Sequence, residues 1–250
     1  MPFRLLAITA HPDDESGAFG GALLMAHRDG AETSLLCLTD GQAAHFRGGV
    51  EDNAELGRKR RAELDAACGV LGVTRHEVLH YPDGELARQD FYQLAGEVAA
   101  RIRAWRPHVV LTFGGDGAVN LHRDHTAVSA IATAAFHWAG RPEFFPEQSP
   151  APYAPQKLYY SSTPFVSVRG RPELSSVAAT VPYSLSLELG PFAARKMEAF
   201  AKHSSQAGVL NRVKNDIATH FATERYLLVA ARGASSVTSD AGLFAGVAAE

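Results

Sequence analysis

Two short runs concentrate side chains able to bind a cation and move protons. One is His11-Pro12-Asp13-Asp14-Glu15 near the start, and the other is His122-Arg123-Asp124-His125. Three consecutive carboxylates after an apolar run repel one another unless a cation sits beside them. His11 and Asp14 are three residues apart, close enough to chelate one ion from a tight turn. His122 and His125, at i and i+3, share one face of a helix's first turn. His, Asp and His form a donor set that suits zinc, with a fourth position left to water. The chain has 11 His and 2 Cys, so Cys37 and Cys68 cannot build a thiolate cage and any metal must be held by histidines and acids.

These side chains need a frame that brings positions more than a hundred residues apart to one place. Phe3–Thr9, Thr33–Leu38, His76–His80 and His108–Phe113 are apolar strand candidates. Helical patterns over Ser16–Arg28, Asn53–Leu71, Phe91–Trp105 and Thr126–Trp138 alternate with them. Gly72 follows the second helix as a C-cap, and Pro107 stops the third. This alternation implies βαβ units, hence an α/β, Rossmann-like fold whose mostly parallel sheet carries helices on both faces. A sheet order of 3-2-1-4 places the ends of strands one and four side by side at the switch point, where α/β sheets bind ligands. Both polar runs then face one crevice. The other two ends supply Thr39-Asp40-Gly41 and Tyr81-Pro82-Asp83-Gly84, and strand four runs on through Gly114-Gly115-Asp116-Gly117. Asp40 and Asp116 serve equally well as turn formers.

Arg141–Gln156 holds five prolines and reads as a surface excursion. Beyond it, Lys157–Tyr160, Phe165–Val168, Val177–Val181 and Arg225–Ala230 are short strand candidates, and Ala193–Lys202 a helix. The chain is therefore read as one domain over residues 1–232, with 141–185 an irregular lid or interface. Residues 233–250 form a tail in which Leu243–Val247 could dock. The N-terminal apolar run reads as a core strand and not as a leader.

At 250 residues, 46% hydrophobic and 20% charged, the composition is that of an ordinary globular protein. A net charge of -3 gives no basic footprint for nucleic acid, and no apolar run approaches a membrane span. Few cysteines and no leader fit a reducing cytoplasm. Strand one lacks a following G-x-G-x-x-G, and its acids would oppose a pyrophosphate, which argues against a dinucleotide enzyme.

Ala10-His11-Pro12-Asp13-Asp14-Glu15 resembles the A-H-P-D-D-E signature of the PIG-L/LmbE-like zinc deacetylases, and His122-Arg123-Asp124-His125 resembles their H-x-D-H signature. Thr39-Asp40-Gly41, Arg60-x-x-Glu63, Lys196 and His203-x-Ser205-Gln206 fit the same family, so the likeness runs from residue 5 to about 230. Members of that family remove N-acyl groups from N-acetylglucosamine-type sugars, including precursors of mycothiol and bacillithiol. Others cleave thiol S-conjugates or act on chitooligosaccharides.

The resemblance implies zinc, or iron(II) in the same ligands, on His11, Asp14 and His125. It makes Asp13 the general base and His122 the oxyanion and proton-donating group. Arg60 aligns with a substrate-binding arginine, although Arg58-Lys59-Arg60-Arg61 also reads as a solvated basic face. Asp83 either accepts sugar hydroxyls or builds a Pro-Asp-Gly turn. Asn120 stands where some relatives carry a carbonyl-polarising Tyr, and Arg123 where many carry Pro; an Asn amide donates a hydrogen bond but lends no proton. Asp124 is expected to orient His122 if that histidine precedes the helix, and to support a metal ligand if it lies deeper; the first arrangement is the expectation. His203 and Gln206 either line the site or pack the last helix, and packing is the expectation.

The expected activity is zinc-dependent removal of the N-acetyl group from a GlcNAc-type glycoside. The alternatives are an amidase of thiol S-conjugates, a chitooligosaccharide deacetylase, or a non-catalytic sugar- or metal-binding protein. The expected partner is a small amide sugar, with no nucleic acid or membrane and with homo-oligomerisation left open.

Overall fold

The computed structural model describes residues 1–117, 121–148, 150–161, 183–213, 221–233 and 240–249. An inner strand of its sheet is β1 (Arg4–Thr9), whose residues beyond Arg4 are all buried. Parallel neighbours flank it: β2 (Glu32–Thr39) pairs Leu6 with Ser34, and β4 (Val109–Phe113) pairs Leu6 with Val110. A strand covered on both faces has no solvent side for polar residues, which is why RLLAIT reads as a continuous apolar run.

With β3 (Arg75–Tyr81), β5 (Lys157–Ser161), β6 (Leu185–Glu188) and β7 (Thr223–Ala231), the described residues form one sheet in the order β3-β2-β1-β4-β5-β7-β6. The sheet is parallel except for β7, which runs antiparallel to both β5 and β6. The expected 3-2-1-4 order is thus present, with the switch point between β1 and β4. Phe165–Val168 and Val177–Val181 lie outside the described residues.

Helices α3 (Asn53–Leu71) and α4 (Phe91–Trp105) match their sequence boundaries because both carry local stop and start signals. Asp52 accepts the Glu55 N–H at 2.8 Å, Asp90 accepts the Gln93 N–H at 2.7 Å, and Gly72 closes α3 at φ 73°. α4 packs on α5 (Arg123–Trp138), while α3 packs on α6 (Phe192–Ala201). Right-handed crossovers on either side of the switch point put these two groups on opposite faces. A short α7 (Ala207–Val213), not expected from the sequence, follows α6 through a 3-10 turn at Ser204–Gln206.

The helix expected over Ser16–Arg28 is instead two, α1 (Asp14–Ala18) and α2 (Gly20–Arg28). The break falls at the Gly20-Gly21 pair, where a distant acid caps the second helix. Glu224 of β7 accepts the N–H groups of Gly21 at 2.7 Å and Ala22 at 2.8 Å, so the second helix begins where that carboxylate caps it. Gly21 makes the approach possible, because a Cβ there would meet the Glu224 carboxyl carbon at 2.9 Å. Lys196, buried like Glu224, balances the charge at 2.6 Å.

The described part of the proline-rich excursion is gathered by one buried guanidinium. Arg103 donates to the carbonyls of Ala139 (3.0 Å), Arg141 (3.2 Å), Phe144 (2.7 Å) and Phe145 (3.1 Å). That hub lies at the C-terminal end of α5, the far end from His122. In the tail, Phe244 stacks on Phe3 with ring centroids 4.8 Å apart, and Asp240 pairs with buried Lys157 at 2.9 Å.

Candidate active site

The loops after β1, β2, β3 and β4 meet around a cavity of about 450 Å³ at the switch point. Its lining includes His11, Asp13, Asp14, Arg60, Asp83, His122 and His125. An apolar side is made by Ala18, Phe46, Phe200 and Val209. The volume falls in the range that holds one small ligand.

Asp14 is fixed by backbone before anything else. Its Oδ2 accepts the N–H groups of Ala10 (3.1 Å) and His11 (2.8 Å) and lies 3.5 Å from His11 Nδ1. The other oxygen, Oδ1, lies 3.1 Å from His125 Nε2. His125 Nδ1 sits 3.0 Å from the Gly117 carbonyl, which can only accept, so the ring proton is on Nδ1 and Nε2 carries a lone pair. Phe113 stacks on the His125 ring at 3.9 Å and holds its plane. Buried Nε2 makes no hydrogen bond. A buried lone pair beside a carboxylate oxygen, with no hydrogen bond between them, is unfavourable unless a cation sits with them, and this orphaned atom is the observation that a metal fits.

On the other side of the His11 ring, Nε2 lies 3.1 Å from Asp83 Oδ1 and 3.3 Å from Asp124 Oδ2. Those acceptors hold a proton on Nε2, and Nδ1 faces Asp14. His11 Nδ1 and His125 Nε2 each stand beside an oxygen of Asp14, at 3.5 and 3.1 Å, which are N and O donors of the kind zinc or iron(II) takes. Ring nitrogens of His11, His122 and His125 also lie within 4.8 Å of one another. Burial alone would lower the pKa of His11, but the carboxylates of Asp124, Asp14 and Asp83 raise it well above the usual histidine value. Burial would raise that of Asp14, but His125 and His11 hold it well below the carboxylate range.

Asp13 adopts φ 120°, a backbone conformation that L side chains rarely take. Such strain costs on the order of 1–3 kcal/mol and persists only where neighbours over-determine it. Two do so here. Glu15 Oε2 accepts the Asp13 N–H at 2.9 Å, and the Arg60 guanidinium holds Asp13 Oδ2 at 3.1 Å. Arg60 is 3% exposed, and it also donates to the carbonyls of Pro12 and, at 2.8 Å, Gly41. It is not part of a solvated face. Burial pushes the Asp13 carboxyl up to about 6, against the pull of Arg60.

Asp124 corrects an expectation. His122 is the N-cap of α5, outside the helix as the orienting arrangement required, and its Nδ1 accepts the Asp124 backbone N–H at 3.2 Å. The Asp124 carboxylate nevertheless turns to His11, anchored by the N–H groups of Gly84 (2.6 Å) and Leu86 (3.3 Å) from the loop after β3. It is placed to orient His11, the expected metal ligand. Burial, His11 and His125 together lower the pKa of His122, which favours the neutral ring with its proton on Nε2.

Asp83 accepts the Ala43 N–H at 3.0 Å with one oxygen and faces His11 with the other. Asn120 lies outside the described residues. Glu15 and His203, given no site role from the sequence, form a fully buried pair at 2.6 Å directly behind Asp13. The signal was the sixth residue of the first motif, and its partner sits in the late His-x-Ser-Gln run. Gln206 reaches the cavity wall and donates to the Phe46 carbonyl at 2.8 Å.

Residues 6–136 match the family described as PIG-L: GlcNAc-PI de-N-acetylase, just over half the chain. A 1D-myo-inositol 2-acetamido-2-deoxy-alpha-D-glucopyranoside deacetylase from Streptomyces avermitilis is 30% identical across 98% of this chain and 97% of its own length. A mycothiol S-conjugate amidase from Streptomyces coelicolor is 30% identical over 63% of this chain and 60% of the amidase. Among solved structures, the N,N'-diacetylchitobiose deacetylase from Pyrococcus horikoshii shares the fold, with a TM-score of 0.76 at 19% identity over 91% of this chain and 84% of that one. The matched segment contains both polar runs that line the cavity, and the chain belongs to the PIG-L family of de-N-acetylases.

Proposed function

We propose that this protein is a zinc-dependent hydrolase that removes the N-acetyl group from a GlcNAc-type glycoside of the kind used in low-molecular-weight thiol biosynthesis. The observation that carries the reading is the buried, unpartnered His125 Nε2 facing Asp14 Oδ1 beside a strained Asp13. His11, Asp14 and His125 would hold the cation, which when bound supplies Lewis-acid activation of water and of the amide carbonyl.

The residues supply the rest. Asp13, raised to about 6 and held by Arg60, takes the proton of the attacking water, a role suited to a base poised near the working pH. Neutral His122 presents Nε2–H to the oxyanion as the carbonyl carbon becomes tetrahedral. The C–N bond then breaks, acetate forms, and the amine leaves with a proton passed through Asp13 or His122. Asp83, with its carboxylate on the cavity wall, accepts a sugar hydroxyl hydrogen. Among the described residues no helix is long and apolar enough to cross a membrane. Cys37 and Cys68 are free and buried, which suits a reducing cytoplasm.

The test is bound metal and acetate release measured on a 1-O-inositol N-acetylglucosaminide, diacetylchitobiose and a bulky thiol S-conjugate. Acetate from the first with stoichiometric zinc supports the proposal, and preferential cleavage of the S-conjugate replaces it with the amidase reading. Zinc binding with no acyl release from any of them reduces the protein to a binder.

A further inference from the structure

We propose that His203, acting through Glu15, is a positioning residue that sets the backbone of Asp13, and thereby the aim of its carboxylate. The proposal rests on the reading of Asp13 as the base, but its geometry stands apart from any metal. Glu15 is fully buried. Its Oε2 accepts the Asp13 N–H at 2.9 Å, while its Oε1 accepts from His203 Nε2 at 2.6 Å and from Ser16 Oγ at 2.6 Å. Without that carboxylate the Asp13 N–H would be an orphan in a residue already held at φ 120°.

A buried carboxylate needs a committed donor, and among the described residues His203 is the one donor to it that comes from a distant part of the chain.

His203 is itself placed with care. It lies between α6 and the following 3-10 turn, and the two serines after it are tied to α3. Glu63 Oε1 accepts from Ser204 Oγ (2.6 Å) and Ser205 N–H (2.8 Å), and Oε2 accepts from Ser205 Oγ (2.6 Å). Arg60, one helical turn before Glu63, holds the Asp13 side chain. One helix therefore fixes both ends of Asp13: the carboxylate directly, and the backbone through the Glu63-anchored His203 and Glu15.

The experiment compares His203→Gln with His203→Met, which are nearly equal in size; only the first keeps a donor for Glu15. The first readout is hydrogen exchange of the zinc-free protein in the peptide containing Asp13. Exchange should quicken about tenfold or more in the Met variant and stay near wild type in the Gln variant. The second readout is kcat and KM of the zinc-loaded enzyme. A misaimed base should lower kcat by roughly ten- to a hundredfold in the Met variant, with KM and zinc content unchanged, and the Gln variant should recover most of it. Equal exchange in the two variants overturns the proposal. So does loss of zinc or of folding in both, which would make His203 structural only. If wild type hydrolyses no amide, the functional reading falls while the exchange comparison still decides the positioning role.

Discussion

His125 Nε2 lies 3.1 Å from Asp14 Oδ1, with the imidazole proton committed to the Gly117 carbonyl on the opposite side of the ring. The ring and the carboxylate, each held by backbone contacts and not hydrogen-bonded to each other, form one edge of the proposed cation site. Zinc at about a hundred times its Kd should therefore stabilise the fold by about 2.7 kcal/mol. For a domain of this size that raises Tm by roughly 5–10 °C. Thermal melts with and without a chelator measure it. Asp14→Asn should abolish the shift, and a shift that survives the substitution would move the site elsewhere.

Asp124 and His122 are separable although they are two residues apart. Because the Asp124 carboxylate faces His11, Asp124→Asn should weaken zinc binding by about 10- to 100-fold. His122→Gln should leave zinc affinity near wild type and lower kcat by roughly 100- to 1,000-fold. Zinc titration alongside steady-state kinetics distinguishes them. Equal metal affinity in Asp124→Asn and wild type would return Asp124 to the His122 side.

Asp13→Asn keeps the shape and removes the base. Zinc content should stay stoichiometric while kcat falls by about 100- to 10,000-fold. A mutant with full activity would assign the proton transfer to another group.

Gly41 takes φ 64°, and a Cβ there would lie 2.0 Å from Arg60 Nη1. Gly41→Ala should thus cost more than about 1 kcal/mol in urea denaturation, because a change that gains up to about that much at a compatible backbone loses more where φ is positive. It should also lower kcat, because the guanidinium it displaces is the one that holds Asp13. A stable variant with normal kcat would mean that Arg60 does not position the base.

Lys196 and Glu224 form a buried pair at 2.6 Å beside the start of α2. Lys196→Met leaves the carboxylate with its two backbone donors and Tyr226 Oη, but without a countercharge. Unfolding free energy should fall by about 3–5 kcal/mol. Denaturant titration measures it, and a loss below about 1 kcal/mol would show that the hydrogen bonds alone carry that charge.

Much of this molecule is written locally. The limits of α3 and α4 follow from Asp52, Gly72 and Asp90, each adjacent to the helix it bounds. The parallel core follows from apolar runs that need no partner to be recognised, and the two polar runs are legible because their spacing is itself the chemistry. What could not be read lies between residues far apart in the chain. Glu224 caps the second half of a segment that reads as one helix, and Arg60 leaves an apparent surface run to reach the Asp13 turn.

The sequence by itself determined which side chains would meet at the switch point, because strand order and the motif positions after β1 and β4 suffice for that. Only the tertiary structure decided how they divide the work. Asp124 serves His11 rather than His122 because the N–H groups of Gly84 and Leu86 capture its carboxylate from another loop. His203 stands behind Asp13 because α3 ties the late serine pair in place. The physical reason is the same in each case: a buried carboxylate takes its role from the donors the fold brings to it, and those donors come from elsewhere in the chain.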